Sequence, residues 1–362
     1  MKIIDMHCDT IERLYFLNKK NKTEGETKEK ETLRENSGHL DLLRMQENNY
    51  HLQNFALFVD RALWPDPWQG VETLWKLYQQ ELQTYQDIIC QIRTYEDVVN
   101  GDGRLKSMLT VEEGGVCQGS VKKLHELYRM NVRMMTLTWN YRNELGTPAT
   151  PIVDTSEAGR VGKMTPVAQK KLEVGEGAKN GKNHSGLTEK GREFVEEMQH
   201  IGMIVDVSHL SDDGFWNVVE TSRKSFVASH SNARAICPHG RNLTDEMIKK
   251  IGETGGCIGL NYHLDFLLPH SCEERDGGIR TGETCNYIWE MVAAHARHIV
   301  QKGGIEVLGL GSDFDGIPTN IAIPGVEGVE KLWWKLKERG FTEGELDKIM
   351  YKNVLKVYKE CL

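Results

Sequence analysis

The feature that most constrains this chain is a rhythm. Eight short apolar runs recur along its 362 residues, each ending in a polar residue or a turn: 2–6, 52–59, 107–111, 132–138, 203–207, 226–229, 257–261 and 307–311. Most are nearly continuous stretches of Val, Ile, Leu and Met, the pattern of parallel strands buried on both faces. Between them, apolar residues recur at helical spacing. Examples are Leu74-Trp75-Leu77-Tyr78-Leu82, Val121-Leu124-Leu127-Tyr128, Phe194-Val195-Met198-Ile201 and Tyr287-Met291-Val292-Ile299. Thr342-x-x-Glu345 has the form of a capping box for the last helix. Eight strand–helix alternations predict an α/β protein of the (β/α)8, TIM-barrel type, a single domain spanning 1–362. A doubly wound open sheet is the alternative.

Two polar insertions interrupt the rhythm. Residues 18–36 follow the first strand; six basic and five acidic residues fall within 18–35, with almost no apolar content. Residues 155–185 form a long Gly/Lys/Glu-rich stretch, expected to be a lid or surface loop. Charge excludes one class of function: 45 basic and 53 acidic residues give a net −8, spread along the chain without the basic patch of a nucleic-acid binder. No window approaches the roughly 18 apolar residues of a spanning helix, so no membrane partner is expected. The N-terminal MKIIDMHCDT lacks a signal-peptide pattern, and the eight cysteines are scattered without a C-x-x-C pair. A cytoplasmic protein with reduced, mostly buried thiols is the expectation. No phosphate-cradling glycine motif is present, since GLGSDFDG lacks the G-x-G-x-x-G spacing.

Chemistry in such a barrel sits at the C-terminal ends of the strands. Those ends read His7-Cys8-Asp9, Glu112-Glu113, Ser208-His209, Ser229-His230 and Ser312-Asp313-Phe314-Asp315. In an extended segment His7 and Asp9 project from one face, because strand side chains alternate. Imidazole plus carboxylate, without thiolate, suits a catalytic zinc better than a structural one. A carboxylate able to bridge, with two His on one side and His plus Asp on the other, describes a two-metal hydrolytic centre.

These motifs in this order resemble the membrane (renal) dipeptidase family. They stand here as His7-Cys8-Asp9, Val111-Glu112-Glu113-Gly114, Asp206-Val207-Ser208-His209-Leu210-Ser211, Ser229-His230-Ser231 with Arg241-Asn242, and Gly311-Ser312-Asp313-Phe314-Asp315-Gly316. The resemblance covers essentially the whole chain. It implies a distorted (β/α)8 barrel with two zinc ions that hydrolyses dipeptides, including ones with a D-residue at the C-terminal position. Carried over residue by residue, His7 and Asp9 hold one zinc, His209 and His230 the other, and Glu112 bridges, with Glu113 as its competitor. Asp313 matches the catalytic acid/base and Arg241 the residue that binds the substrate carboxylate. Asp315 is read as a turn or supporting carboxylate.

Two departures bear on substrate choice. Where the family commonly has TLTH, this chain reads Thr136-Leu137-Thr138-Trp139; where it often has N-F-Y, this chain reads Asn261-Tyr262-His263. Trp139, Asn140 and His263 are therefore expected substrate-side residues, the latter two as replacements for the missing donor. The partner is a small peptide, and nothing in the sequence excludes a homodimer. One rival is another amidohydrolase-like enzyme acting on a cyclic amide, lactone or phosphoester. Many of those carry H-x-H on the first strand and a bridging Lys on the fourth, where this chain has Asp9 and Trp139. A barrel that only binds a ligand is the other rival, and the intact Asp313 and ligand set argue against it.

Overall fold

The computed structural model describes residues 1–23, 30–150, 185–269 and 282–362. Among the described residues, nine strands form one parallel sheet: β1 (Ile3–Asp5), β2 (Tyr50–Phe58), β3 (Ile89–Gln91), β4 (Leu105–Glu112), β5 (Val132–Thr136), β6 (Ile204–Asp206), β7 (Val227–Ala228), β8 (Cys257–Leu260) and β9 (Leu308–Leu310). Each of the eight apolar runs overlaps one of them, and β2 and β4 begin two residues before their runs. β2, β1, β9, β8, β7, β6, β5 and β4 are neighbours in that order, and β2 pairs with β4 from Leu52↔Lys106 to Phe58↔Glu112. The ring is closed, so the fold is the TIM-type barrel and not the open sheet.

β3 is the unexpected strand. It pairs with Leu105–Ser107 at the start of β4, on the edge that β5 takes over from Leu109 onward. Three residues reading Ile-Cys-Gln carry too little periodicity to be seen in advance. β4, whose eight residues are all buried, is thus bonded on both sides along most of its length. Its one buried cation, Lys106, donates to Asp102 Oδ1 at 2.6 Å.

Alternation along the strands sorts the core into two clusters. Ile4, Leu52, Met108, Met134, Ile204, Val227 and Cys257, one from each of seven strands, pack with Val354, Val357, Tyr358 and Cys361 of the final helix. Tyr358 Oη donates to Asn54 Oδ1 at 2.8 Å, so this helix plugs the end opposite the strand termini. The other cluster joins the outer strand faces to the surrounding helices. Pro67–Thr84 shows how such a helix is specified. Asp66 caps it by accepting from the Trp68 and Gln69 N–H groups, and Val71, Leu74, Tyr78 and Leu82 form its buried stripe. The Thr342/Glu345 capping box is present as expected.

The first polar insertion is a partial correction. Residues 18–23 end the helix Thr10–Thr23, which continues the apolar stripe of Ile11 and Leu14. Leu33 is fully buried, its N–H donating to Glu81 Oε2 at 2.8 Å. Residues 24–29, and 155–184 of the second insertion, lie outside the described residues. Among the described residues, the cysteines are all free thiols, and no helix is long and apolar enough to cross a membrane.

The seam between the first and last barrel strands decides where the site forms. β1 meets β9 at Asp5↔Leu310. Beyond it, the Asp313 N–H donates to His7 O (3.2 Å) and the Asp9 N–H to Phe314 O (2.9 Å). The Asp5 carboxylate, buried below, accepts from the N–H groups of His7 and Ser312.

Candidate metal centre

The two oxygens of one carboxylate divide the site. Glu112, at the end of β4, places Oε2 3.2 Å from His7 Nε2, and Oε1 2.9 Å from His209 Nε2 and 3.6 Å from His230 Nε2. His7 Nε2 also lies 3.5 Å from Asp9 Oδ2 and 3.8 Å from Asp313 Oδ1. Two overlapping groups can each hold an ion: His7, Glu112 and His230; and His7, Asp9 and Asp313. All six residues expected at the centre therefore converge, drawn from five strand ends. Each is buried.

Glu113 does not compete. Its backbone is left-handed (φ 87°), which turns the side chain away to accept from Gly115 N–H, Trp139 N–H and Asn143 Nδ2. Asp315 supports the rim: Oδ2 accepts from Thr10 Oγ1 at 2.6 Å and Oδ1 from the His39 N–H at 2.8 Å. Cys8 points elsewhere, its thiol donating to Asn54 O. Gly316 is required by crowding, because a Cβ there would collide with Asp9 Oδ2. His209 (φ 68°) and Asp313 (φ 64°) both sit in left-handed backbone, a conformation that costs L-residues energy and recurs at functional sites.

Hydrogen bonds behind the rings settle the tautomers. Ser229 Oγ must donate to the Asp206 carboxylate (2.5 Å), so at 2.7 Å it accepts from His230 Nδ1–H. His209 Nδ1 lies 3.0 Å from Asn140 Oδ1, which likewise takes its proton. Both Nε2 atoms then present lone pairs, 2.9 Å apart and facing Glu112 Oε1. On the other side, both ring nitrogens of His7 and Asp9 Oδ1 are buried without a hydrogen bond. Such a convergence of unpaired donors calls for cations.

The electrostatics are split accordingly. Burial lowers His209 to about 3, helped by the nearby Arg241 cation, and lowers His230 as well. His7 behaves oppositely: burial disfavours its charge, yet the Glu112 and Asp9 carboxylates hold it well above the usual histidine range. Burial raises Asp9 to about 7. Asp313 is lowered against its burial by the His230 and His7 rings.

Arg241 lies at the buried edge of this centre. Its Nη1 donates to Ser231 Oγ (3.3 Å) and Nη2 to His230 O (3.1 Å), while Nε has no partner. Trp139 packs edge-on to Phe58 (4.8 Å between centroids) and stands 6.4 Å from the His209 ring. Asn140 is engaged by His209 and by Thr150 Oγ1, so it orients a ring. His263 caps the helix Leu264–Leu267 through Nδ1 and stacks on Phe266. Sequence reasoning missed Asn261, whose Nδ2 donates to Asp313 Oδ2 at 2.9 Å. Its advance signals were its place at a strand end and its match to the first residue of the family's N-F-Y motif.

Comparison with known proteins covers nearly the whole chain. A dipeptidase of Claviceps purpurea is 27% identical over 342 residues, 90% of this chain and 69% of the relative. The crystal structure of a dipeptidase of metallopeptidase family M19 superposes with a TM-score of 0.77 at 25% identity, covering 100% of this chain and 98% of that one. A Rhodobacter sphaeroides metallopeptidase bound to a phosphinate mimic of L-Ala-D-Ala shares the fold, with a TM-score of 0.79 at 23% identity over 100% and 99% of the two chains. The model of the membrane dipeptidase family matches residues 1–173 and 162–361, nearly end to end. The chain belongs to that family, the M19 peptidases.

Proposed function

We propose that this protein is a binuclear zinc dipeptidase that cleaves the peptide bond of dipeptides, among them ones with a D-residue at the C-terminal position. The observation that carries the reading is the division of Glu112. One oxygen faces His7, the other faces His209 and His230. The donors fit the ions in kind: imidazole nitrogens with bare lone pairs and carboxylate oxygens, without thiolate. His7 and Asp9 would hold one ion, His209 and His230 the other, with Glu112 between them. Bound there, zinc supplies a Lewis acid for the peptide carbonyl and a water acidic enough to ionise near neutral pH.

The protein's own groups do the rest. Asp313, kept ionised beside two imidazoles, accepts a proton from the attacking water and returns it to the departing amine nitrogen. Arg241 binds the free C-terminal carboxylate of the substrate. Its unpartnered, buried Nε and the rigid anchoring of Nη1 and Nη2 support this role, because a buried guanidinium lacking one bond is completed by an anion. Requiring that carboxylate close to the scissile bond limits substrates to short peptides.

The test is elemental analysis of protein reconstituted with zinc, followed by assay against L,L- and L,D-dipeptides and their C-terminal amides. The reading expects close to two equivalents of zinc, and hydrolysis of free dipeptides but not of amides. One equivalent or fewer, or equal turnover of amides, contradicts it.

A further inference from the structure

We propose that Asn261 is a positioning residue for the proton-transferring carboxylate: its amide holds Asp313 by Oδ2, leaving Oδ1 as the oxygen that exchanges the proton. This rests on the role assigned to Asp313 above.

Asn261 follows β8 directly and is fully buried. A buried amide is costly unless its polar atoms are paired, and this one is fully used. Oδ1 accepts from the His263 N–H at 2.7 Å. Nδ2 donates to Asp313 Oδ2 at 2.9 Å and to His230 O at 3.4 Å. Because an N–H occupies the oxygen side, the amide can face Asp313 only with its nitrogen. Its backbone is pinned as well. Asn232, fully buried, accepts from the Asn261 N–H (3.1 Å) through Oδ1 and donates to Asn261 O (3.0 Å) through Nδ2.

Asp313 needs such a hold. It stands on a left-handed turn past the end of β9, and a carboxylate is symmetric about its last torsion. Without a donor on one side, either oxygen could face the centre. With Asn261 on Oδ2, Oδ1 is the oxygen directed to the His7 side, 3.8 Å from Nε2. The proton leaving the attacking water therefore bonds to Oδ1, and the same O–H bond later breaks as the proton passes to the amine nitrogen.

The experiment is a double-mutant cycle on the zinc-loaded full chain, using the dipeptide that the parent hydrolyses fastest. The variants are Asn261→Ala, Asn261→Asp, Asp313→Asn, and Asn261→Ala combined with Asp313→Asn. Asn261→Asp keeps the size and the acceptor for the His263 N–H, so it reports even where the alanine variant fails to fold. Misplacing a reacting group by about 1 Å costs up to roughly 100-fold. Both Asn261 single variants should lose about 10- to 100-fold in kcat, with KM within about twofold and zinc content at the parent level. In the Asp313→Asn background, removing Asn261 should change kcat by less than about twofold, since the group it positions is gone. A merely structural asparagine gives the opposite result: loss of zinc, or the same loss of kcat in both backgrounds. Either outcome, or parent-like kcat in both single variants, overturns the proposal while leaving an impaired Asp313→Asn enzyme to uphold the reading of Asp313. Parent-like kcat in Asp313→Asn overturns both.

Discussion

His209 Nε2 and His230 Nε2 stand 2.9 Å apart, although the proton of each ring is committed to its far nitrogen. The pair is held open from behind, through Asn140 on one side and the Ser229–Asp206 relay on the other. Partners of this kind, which fix a ligand's tautomer, typically govern metal affinity by 10- to 100-fold. Asp206→Asn should therefore weaken zinc binding by about that factor, read by competition with a chelator. Cys8→Ala, between two ligands but facing Asn54, should leave affinity unchanged. Equal affinity in Asp206→Asn and the parent would mean that the relay does not orient His230.

The centre's charge pattern sets a pH dependence for metal loading. Carboxylates hold the His7 ring well above the usual range against its burial, so near neutral pH in chelator-treated protein it carries a proton. An ion takes only the neutral ring, and that proton must leave. Affinity then rises with pH by about tenfold per unit for each proton that must leave: that of His7, and below about pH 7 also that of Asp9, which burial raises to about 7. His209, already neutral because burial lowers it to about 3, adds nothing near neutral pH. Zinc titrations between about pH 6 and 8, with proton release measured alongside, check the sign. A flat profile contradicts the assignment of His7 as a ligand.

Chemistry and binding separate between Asp313 and Arg241. General acid–base groups contribute about 10²–10⁴-fold, so Asp313→Asn should lower kcat by that order with zinc retained. Arg241→Ala should act mainly on KM and erase the preference for a free carboxylate over its amide. Steady-state kinetics on matched acid and amide substrates distinguish the two patterns.

Trp139, which the resemblance sets at the position where the family commonly has a histidine, stands beside His209 and against Phe58. An indole offers one donor and no acceptor, and fills more of the pocket. Trp139→His should broaden the ranking of dipeptides without loss of zinc. An unchanged ranking across a panel varied at both residues would place selectivity elsewhere on the rim.

Much of this was legible because barrel strands announce themselves as apolar runs, and their polar terminal residues stand out against them. The convergence of His7, Asp9, Glu112, His209, His230 and Asp313 follows once the ring closes. What could not be read depends on backbone or on partners distant in sequence. Glu112 and Glu113 are chemically alike, and a left-handed turn at the second separates them. Asn140 carries no sign that its oxygen meets a ring 69 residues away. Asn261 matches the start of the family's N-F-Y motif, but nothing in the sequence shows that its amide meets a carboxylate 52 residues on. The start of the charged stretch at 18–36 hid the end of a helix, since Lys19 and Lys20 are exposed on it while Ile11 and Leu14 anchor the turns before them.

The seam between β1 and β9 also fixes when the centre comes into being. His7 and Asp9 leave the ribosome long before Asp313, which follows the last strand of the barrel and is bonded to His7 O through its own N–H. Contacts so distant in sequence form late and make folding slow. A nascent chain halted before residue 313 carries every proposed metal ligand but lacks the carboxylate proposed to carry the proton, so on that reading hydrolytic competence waits for the last strand of the ring. With the roles proposed above, synthesis itself keeps the centre inert until the barrel that confines it has closed.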